Sequence, residues 1–543
     1  MKRILFFVFL ISFFTCAFAQ DVDTKTAAIL DAMEKEMART LSLTRNDPKD
    51  PKIHFAAFLV NDFSKYSVAA ARGGLAYENE RNDAYADVYL RVGNNKEDSG
   101  FFEAFSYNQS ALQGGTLSPD GVRAGLWSAS DAGYKQALDV YTRKQGYKSK
   151  KNEEEVFDDF SKITPMQDVK TYNKEVVSME TFREIARRTS KAGALKELEK
   201  FNTSIGIFDN IYYFLSSEGA KYTTHKFLVQ IMFIVQSKTK NGFEFFNTKT
   251  LSYASLEDVP PVEELEKVAS DFAKEMASFY NAEKGTAFIG PVWLSNETSA
   301  VLFEDYFIDK IGNTRKVIYD SGNGNYRNYL SDFALKENLK VLSSNFDVIE
   351  NPQQEEFKGK KMIGAYKVDD EGAKAESIHL VQNGILKDLP RTRALIKNHD
   401  RTNGHAFTRW GGSLYARALV KNLIFFPHET IPSQEFKQKF MNFCKEEGLN
   451  YCYKIVSSRL YSETMAIKIN AETGEETPVY GLNISSVNAR TLRDIKFAAD
   501  DLTLYNTLSG VSYVVPSVIL SEAELTPSQK VPSTKYIVPR PNI

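Results

Sequence analysis

In TAFIGPVWLSNETSAVLFEDYF, residues 286–307, a strand-like run gives way to a helix-like one. FIGPVWL is short, apolar and interrupted at Gly290-Pro291, and it reads as a strand opening a new region near Ala287. A polar link, SNETS, separates it from VLFEDYFIDKIG at 301–312. There one acid pair, Glu304 and Asp305, sits among apolar neighbours. Val301, Leu302, Phe303, Phe307 and Ile308 form a stripe that predicts a core-facing helix. The acids are predicted to project to its edge, or to suit the positive dipole end in its first turn.

Upstream of this stretch, helical spacing and strand-like runs are mixed. TKTAAILDAMEKEMARTLSL has helical periodicity, and two strands with a Gly-Gly turn between them are predicted over 54–93. SASDAGYKQALDVYTRKQGYKSKKNEEE predicts a long exposed helix running into mixed charge. A further helix is predicted around 177–201, strands over 204–258, and an amphipathic helix after Pro260-Pro261. Downstream, strand-like runs lie between Gly-rich breaks at 320–325, 369–374 and 409–412, and PSQEFKQKFMNFCKEEG at 432–448 reads as a helix stopped at Gly448. Strand runs with separate helices imply an α+β fold rather than a regular βαβ series.

The 543 residues suffice for two large regions or three smaller ones, and 43% hydrophobic with 25% charged residues is ordinary globular composition. Aromatic content of 13% favours strand-rich, well-packed cores. A net charge of −2, with both signs spread along the chain, builds no basic field for nucleic acid. MKRILFFVFLISFFTCAFAQ has the cationic start, apolar middle and small-residue exit of a secretory signal, with cleavage expected after Ala19. Its apolar run is short of the ~20 residues a membrane span needs, so an exported periplasmic or extracellular protein is expected. Cys444 and Cys452 would then be the mature chain's two cysteines, and an oxidising compartment permits a disulfide between them. Two cysteines with no nearby histidine do not make a zinc site.

No G-x-x-x-x-G-K-[ST], G-x-G-x-x-G or G-x-S-x-G motif is present, which removes P-loop, dinucleotide and ordinary hydrolase-elbow readings. The histidines, His54, His225, His379, His399, His405 and His428, are scattered except for His399 and His405 in KNHDRTNGHAF, where a metal reading is open. The acids Asp369, Asp370 and Glu371 in DDEGAK are a second place where catalysis could reside.

Several segments together resemble the TldD/PmbA family, named for modulators of DNA gyrase and regarded as metallopeptidases and their partner subunits. They are TAFIGPVWLSNETSAVLFEDYF, VDDEGAKAESIHLVQNGILKDLPRTR, NHDRTNGHAFTR and NARTLRDIKFAADDL, with VRAGLWSASDAGYKQALDVYTRK fitting an exported branch. The resemblance implies a two-region architecture of mixed helices and mainly antiparallel sheets: a signal peptide over 1–19, an N-terminal and middle region over 20–285, and a C-terminal domain over 286–543. Active members of the family bind zinc through H-E-x-x-x-H on a helix and a late cysteine. Two imidazoles and a thiolate leave an open position for water, whose proton the helix Glu takes. Two His five residues apart converge only on a locally widened helix. Laid on this sequence, the motif falls on Phe303, Glu304 and Ile308, and the cysteine position falls near Leu508 and Ser509. All three ligands are missing, so the resemblance implies a vestigial site without zinc or other cofactor. It also implies a non-catalytic subunit paired with a zinc-bearing paralogue, or a homodimer that binds peptides. Relocated hydrolase chemistry and a structural or surface-binding module are the alternatives.

Overall fold

The structure is a computed structural model. It describes residues 23–43, 50–102, 109–112, 117–151, 157–312, 315, 331, 333–407, 416–456, 464–484, 488 and 490–529. The expected signal peptide, the breaks at 320–325 and 409–412 and the Pro-rich end lie outside these residues. No helix among the described residues is long and apolar enough to cross a membrane.

Long strands dominate the first half. β1 (Ile53–Ala71) and β2 (Gly74–Val92) form a hairpin, turned by Arg72 and Gly73 at φ +51° and +83°. With β3 (Gln109–Ala111), β4 (Gln167–Asp168), β5 (Lys200–Ser216), β6 (Lys221–Lys238) and β7 (Glu244–Tyr253) they make a seven-stranded sheet ordered β3-β2-β1-β5-β6-β4, with β7 also on β6. Only the short β4 pairs parallel. Alternate residues of β1 point to one face. At one end Ala56, Phe58 and Val60 pack under α1 (Thr24–Leu41) and α2 (Pro119–Lys151). At the other, Tyr66, Val68 and Ala70 pack under α3 (Met179–Ala192) and α4 (Val262–Ser278).

Two helix expectations need correction. The predicted exposed helix is α2, and it buries Val122, Leu126, Ala137, Leu138 and the ammonium-bearing Lys144. The helix expected through 201 stops at Ala192, and Phe201 is already part of β5, its ring packed so closely on the Gly193 C-cap that a Cβ there would lie 2.2 Å away.

In the second half, β8 (Glu283–Lys284) and β9 (Phe288–Leu294) belong to another seven-stranded sheet. Its order is Ile495–Ala498, Val518–Pro527, β9, Tyr451–Ile455, Thr464–Asn470, Glu476–Ile484, β8. A six-stranded sheet runs Ile385–Leu386, Ile378–Gln382, β10 (Phe346–Glu350), Asn422–Pro427, Ser512–Val515, Thr503–Asn506. Most pairings in both are antiparallel, and the whole is α+β. Helix Ser433–Glu446 covers Trp293 of β9 with Phe436 and Phe440, and Gly448, at φ +72°, ends that turn of chain. Cys444 and Cys452 are joined, tying the helix end to the next strand. In NARTLRDIKFAADDL a 3₁₀ turn, Thr491–Asp494, leads into Ile495–Ala498, a strand beside Val518–Pro527. One apolar core runs continuously from Tyr66 of β1 to Leu525.

Candidate functional site

The polar link SNETS starts α5 (Asn296–Phe303), and side-chain bonds anchor it. Thr298 Oγ1 donates to the Ile455 carbonyl at 3.1 Å, and Ser299 Oγ to the Pro516 carbonyl at 2.7 Å. Glu297, the acid of the first turn, meets Lys249 at 2.5 Å. α5 then passes into a π-helical turn over Glu304–Ile308 and closes with Asp309–Ile311. The Asp309 N–H reaches back five residues to the Glu304 carbonyl. Such a turn is the local widening that places positions five apart on one face. The backbone geometry that an H-E-x-x-x-H helix requires is therefore present where the sequence has F-E-x-x-x-I.

The side chains on that face are core. Phe303 is fully buried against Phe425 and Phe346, with ring centroids 4.4 and 6.0 Å away. Phe307 packs on Phe425 at 5.3 Å and Phe333 at 5.2 Å, and Ile308 is buried in the same cluster. Neither Phe303 nor Ile308 offers an atom that could hold zinc. The residues present do not fit that metal.

Glu304 departs from both readings of the acid pair. It does not cap a first turn, because the helix begins eight residues earlier, at Asn296. Nor does it stand at an exposed edge: it is half-buried, and its Oε2 accepts the Tyr513 hydroxyl at 3.0 Å. Burial raises its carboxyl above the ordinary value, opposed by that hydrogen bond. Tyr513 stacks on Tyr505 with centroids 5.6 Å apart, and Tyr505 donates to Asn296 at the start of the same helix. Leu508, by contrast, is 45% exposed in a turn between two strands. The side chain of NTLSGVSY that reaches the π turn is Tyr513, not Leu508 or Ser509. Nothing in the spacing of the tyrosines marks this, since the contact spans 209 residues.

The acids of DDEGAK are held structurally. Asp369 Oδ1 accepts the N–H groups of Glu371 (3.0 Å) and Ala373 (2.8 Å), and Oδ2 accepts that of Ala406 (3.0 Å). Glu371 joins a buried ionic network with Arg91 at 3.4 Å and the Arg393 N–H at 2.8 Å. Phe160 lies between the two guanidinium groups, 4.3 and 3.8 Å from its centroid. Asp98 bonds Arg91 at 2.7 Å, and the Arg91 charge helps hold its carboxyl well below the usual range despite burial. Lys144 bonds Asp159 at 2.7 Å in the same interior. These contacts join β2, α2 and the 368–394 segment into one body.

His399 and His405 are not brought to a shared ligand position. His405 is fully buried with Nδ1 on Asn403, and burial pushes its imidazole down to about 3. His399 Nε2 bonds Glu337 at 2.8 Å. Ligand atoms of Glu337, Asp388 and His399 lie within 4.8 Å of one another, the one such triad among the described residues. Arg391 donates to Asp388 and to His399 Nδ1, so a guanidinium already supplies the positive charge. Glu337 and Asp388 were invisible as partners in the sequence, being 62 and 11 residues from His399.

Residues 290–527 match the family described as the PmbA/TldA metallopeptidase C-terminal domain. No curated protein sequence matches the chain. Among solved structures, a Thermotoga maritima protein named as a modulator of a DNA gyrase aligns with TM-score 0.61 and 14% identity, over 91% of this chain and all of that one. TldE from Thermococcus kodakarensis aligns with TM-score 0.59 and 12% identity, over 91% and 100%. A Bacteroides thetaiotaomicron protein also named for DNA gyrase modulation aligns with TM-score 0.58 and 14% identity, over 92% and 98%. The chain thus carries a PmbA/TldA metallopeptidase C-terminal domain over residues 290–527, and it shares its fold along nearly its whole length with these three structures.

Proposed function

We propose that this protein is a non-catalytic, TldE-like subunit of an exported peptidase complex, or a peptide-binding pseudo-peptidase. One observation carries the reading: the π turn of a ligand-bearing helix persists, while Phe303 and Ile308 fill the face with packed hydrocarbon. Glu304, bonded to Tyr513, has no metal-bound water to deprotonate. Peptide capture by strand addition needs main-chain hydrogen bonds and no catalytic side chain, so it survives loss of the ligands. The partner would be a zinc-bearing paralogue or a second copy of this chain. Nucleic acid is not expected as a partner of a chain with so little net charge.

The test uses the mature chain alone and mixed with any H-E-x-x-x-H paralogue of the same organism. Light scattering reads assembly, elemental analysis reads zinc, and mass spectrometry reads peptide cleavage. The expected result is no stoichiometric zinc and no cleavage by the chain alone. Chelator-sensitive cleavage by the purified chain would overturn the proposal.

A further inference from the structure

Glu350, the last residue of β10, and His405, just before the short strand Ala406–Phe407, meet in the interior. Both side chains are fully buried, and Glu350 Oε1 lies 3.7 Å from His405 Nε2. The hydrogen bonds around them fix where hydrogen can sit. Asn403 donates from its amide nitrogen to the Leu389 carbonyl at 2.9 Å, and its amide oxygen accepts the Arg391 N–H at 2.7 Å, which sets its orientation. His405 Nδ1 faces that amide oxygen at 3.0 Å and the Asn403 carbonyl at 2.9 Å. Two acceptors at Nδ1 place the ring hydrogen there. In the neutral ring Nε2 is then a bare acceptor, and it has no hydrogen-bond partner among the described residues. Glu350 Oε1 accepts the Lys421 N–H at 3.0 Å and Oε2 the Asn422 N–H at 2.9 Å. An ionised Glu350 is an acceptor only, so acceptor would face acceptor in a buried place.

We propose that Glu350 and His405 hold one proton between them, carried on the Glu350 carboxyl and donated to His405 Nε2, and that this proton locks the 403–407 segment to β10. A protonated Oε1 still accepts the Lys421 N–H while it donates to Nε2, and closing the gap to bonding range takes under about 1 Å. Placing the proton on the acid keeps both groups neutral, and separated charges in a buried place cost more than a neutral pair. Burial acts the same way on each partner, raising Glu350 to about 7 and pushing His405 down to about 3. The other charges facing the pair divide. Lys421 favours the Glu350 carboxylate, Arg391 disfavours an imidazolium, and Asp369 and Asp370 act on Lys421. Tyr366, whose ring stands edge-on to His405, stays neutral because burial holds its hydroxyl well above the ordinary value. The 403–407 segment carries the DDEGAK acids: Ala406 donates its N–H to Asp369 Oδ2, and its carbonyl accepts the Asp370 N–H. Because the folded value of Glu350 lies above 4.5, the lock is complete in mild acid and is lost as pH rises through about 7. The ionised carboxylate then faces the Nε2 lone pair, and the hold of β10 on this segment weakens.

The test follows two nuclei in the full chain, with histidine ring nitrogens labelled ¹⁵N and glutamate carboxyl carbons ¹³C, from about pH 5 to about pH 9. His405 is assigned as the signal lost in H405N, and Glu350 as the one lost in E350Q. Through the whole range Nδ1 keeps its hydrogen and Nε2 carries none of its own. In mild acid Nε2 shows the shift of a hydrogen-bonded acceptor, and it loses that shift with the same midpoint at which the Glu350 carboxyl ionises. Separate midpoints, or an Nε2 signal indifferent to Glu350, as a water on the lone pair would give, overturn the shared proton. Hydrogen on Nε2 in place of Nδ1, or an imidazolium with an ionised Glu350, overturns it too. The lock has its own readout in the exchange of the Ala406 and Asp370 amide hydrogens, divided by the intrinsic rate at each pH. Exchange so corrected rises at least about tenfold from the acid to the alkaline end in the native chain and stays flat in E350Q. Unchanged protection in the native chain overturns the lock. The common midpoint is read without substitution, so it decides the proposal even if E350Q does not fold; H405Q then replaces H405N if the asparagine is not tolerated, and E350D supplies the carboxyl assignment.

Discussion

Replacing Phe303 by alanine tests whether the face formed by Phe303, Phe307 and Ile308 is packed core or open space. Phe303 is fully buried, and its ring meets Phe425 and Phe346 at distances typical of favourable aromatic pairs. Truncating such a ring removes its transfer free energy and leaves a cavity, together about 3–5 kcal/mol. The aromatic pairing, about 0.5–1.5 kcal/mol per contact, places the loss toward the upper end. Phe303→Leu keeps most of the volume and should cost under about 2 kcal/mol. Val301→Ala, two residues earlier at a half-buried position, should cost about 1 kcal/mol or less. The assay is urea unfolding under non-reducing conditions, followed by tryptophan fluorescence. Trp293 reports from the same core through its contacts with Phe436 and Phe440. The midpoint should fall in the order Leu then Ala with an unchanged slope. A loss below about 1 kcal/mol for Phe303→Ala would refute the packed-core account, since an open or water-filled face loses little when a ring is removed.

Four further outcomes follow from the structure. Burial raises Glu350 to about 7 although the Lys421 and Asn422 N–H groups bond its carboxylate, so its folded pKa lies above the unfolded value of 4.5. Stability is then lost as pH rises from 4.5 through about 7, by up to about 3 kcal/mol from this group, and Glu350→Gln should flatten that fall in urea titrations at stepped pH. His405 acts with the opposite sign: its folded pKa of about 3 lies below the unfolded 6.5, so stability is lost as pH falls between those values, and His405→Asn should reduce the acid-limb slope. The Cys444–Cys452 bridge closes a short loop, so the double serine variant should lose about 2–3 kcal/mol, and reductant should destabilise the native chain but not the variant. Gly364→Ala drives a Cβ into the Lys421 carbonyl and should cost more than about 2 kcal/mol in thermal or urea unfolding; a neutral result would mean that the 362–366 segment does not lie against that strand.

Local patterns were read well where one residue type dictates the backbone. Gly448 ends the helix that Pro432 precedes, and Arg72-Gly73 turns the first hairpin within a residue of the expected Gly-Gly. The apolar stripe of 301–308 is buried as its spacing implied. One boundary failed where a strand competed for the backbone: Phe201 belongs to a sheet, not to the helix expected there. The role of Glu304 failed for a related reason, because the start of α5 is set by bonds to Ile455 and Pro516, more than 150 residues away.

By itself the sequence determined that Phe303 and Ile308 offer zinc no ligand, since donor atoms are a property of residue type and these side chains have none in any conformation. It also determined the alternation of strands and helices, since periodicity is local. Only the tertiary structure decided which charges are paired. Glu371 finds Arg91 280 residues away, Glu304 finds Tyr513, and Lys226 finds the Ile363 carbonyl. Pairing depends on which groups lose water together, and that is set by how sheets and segments pack rather than by neighbours in the chain.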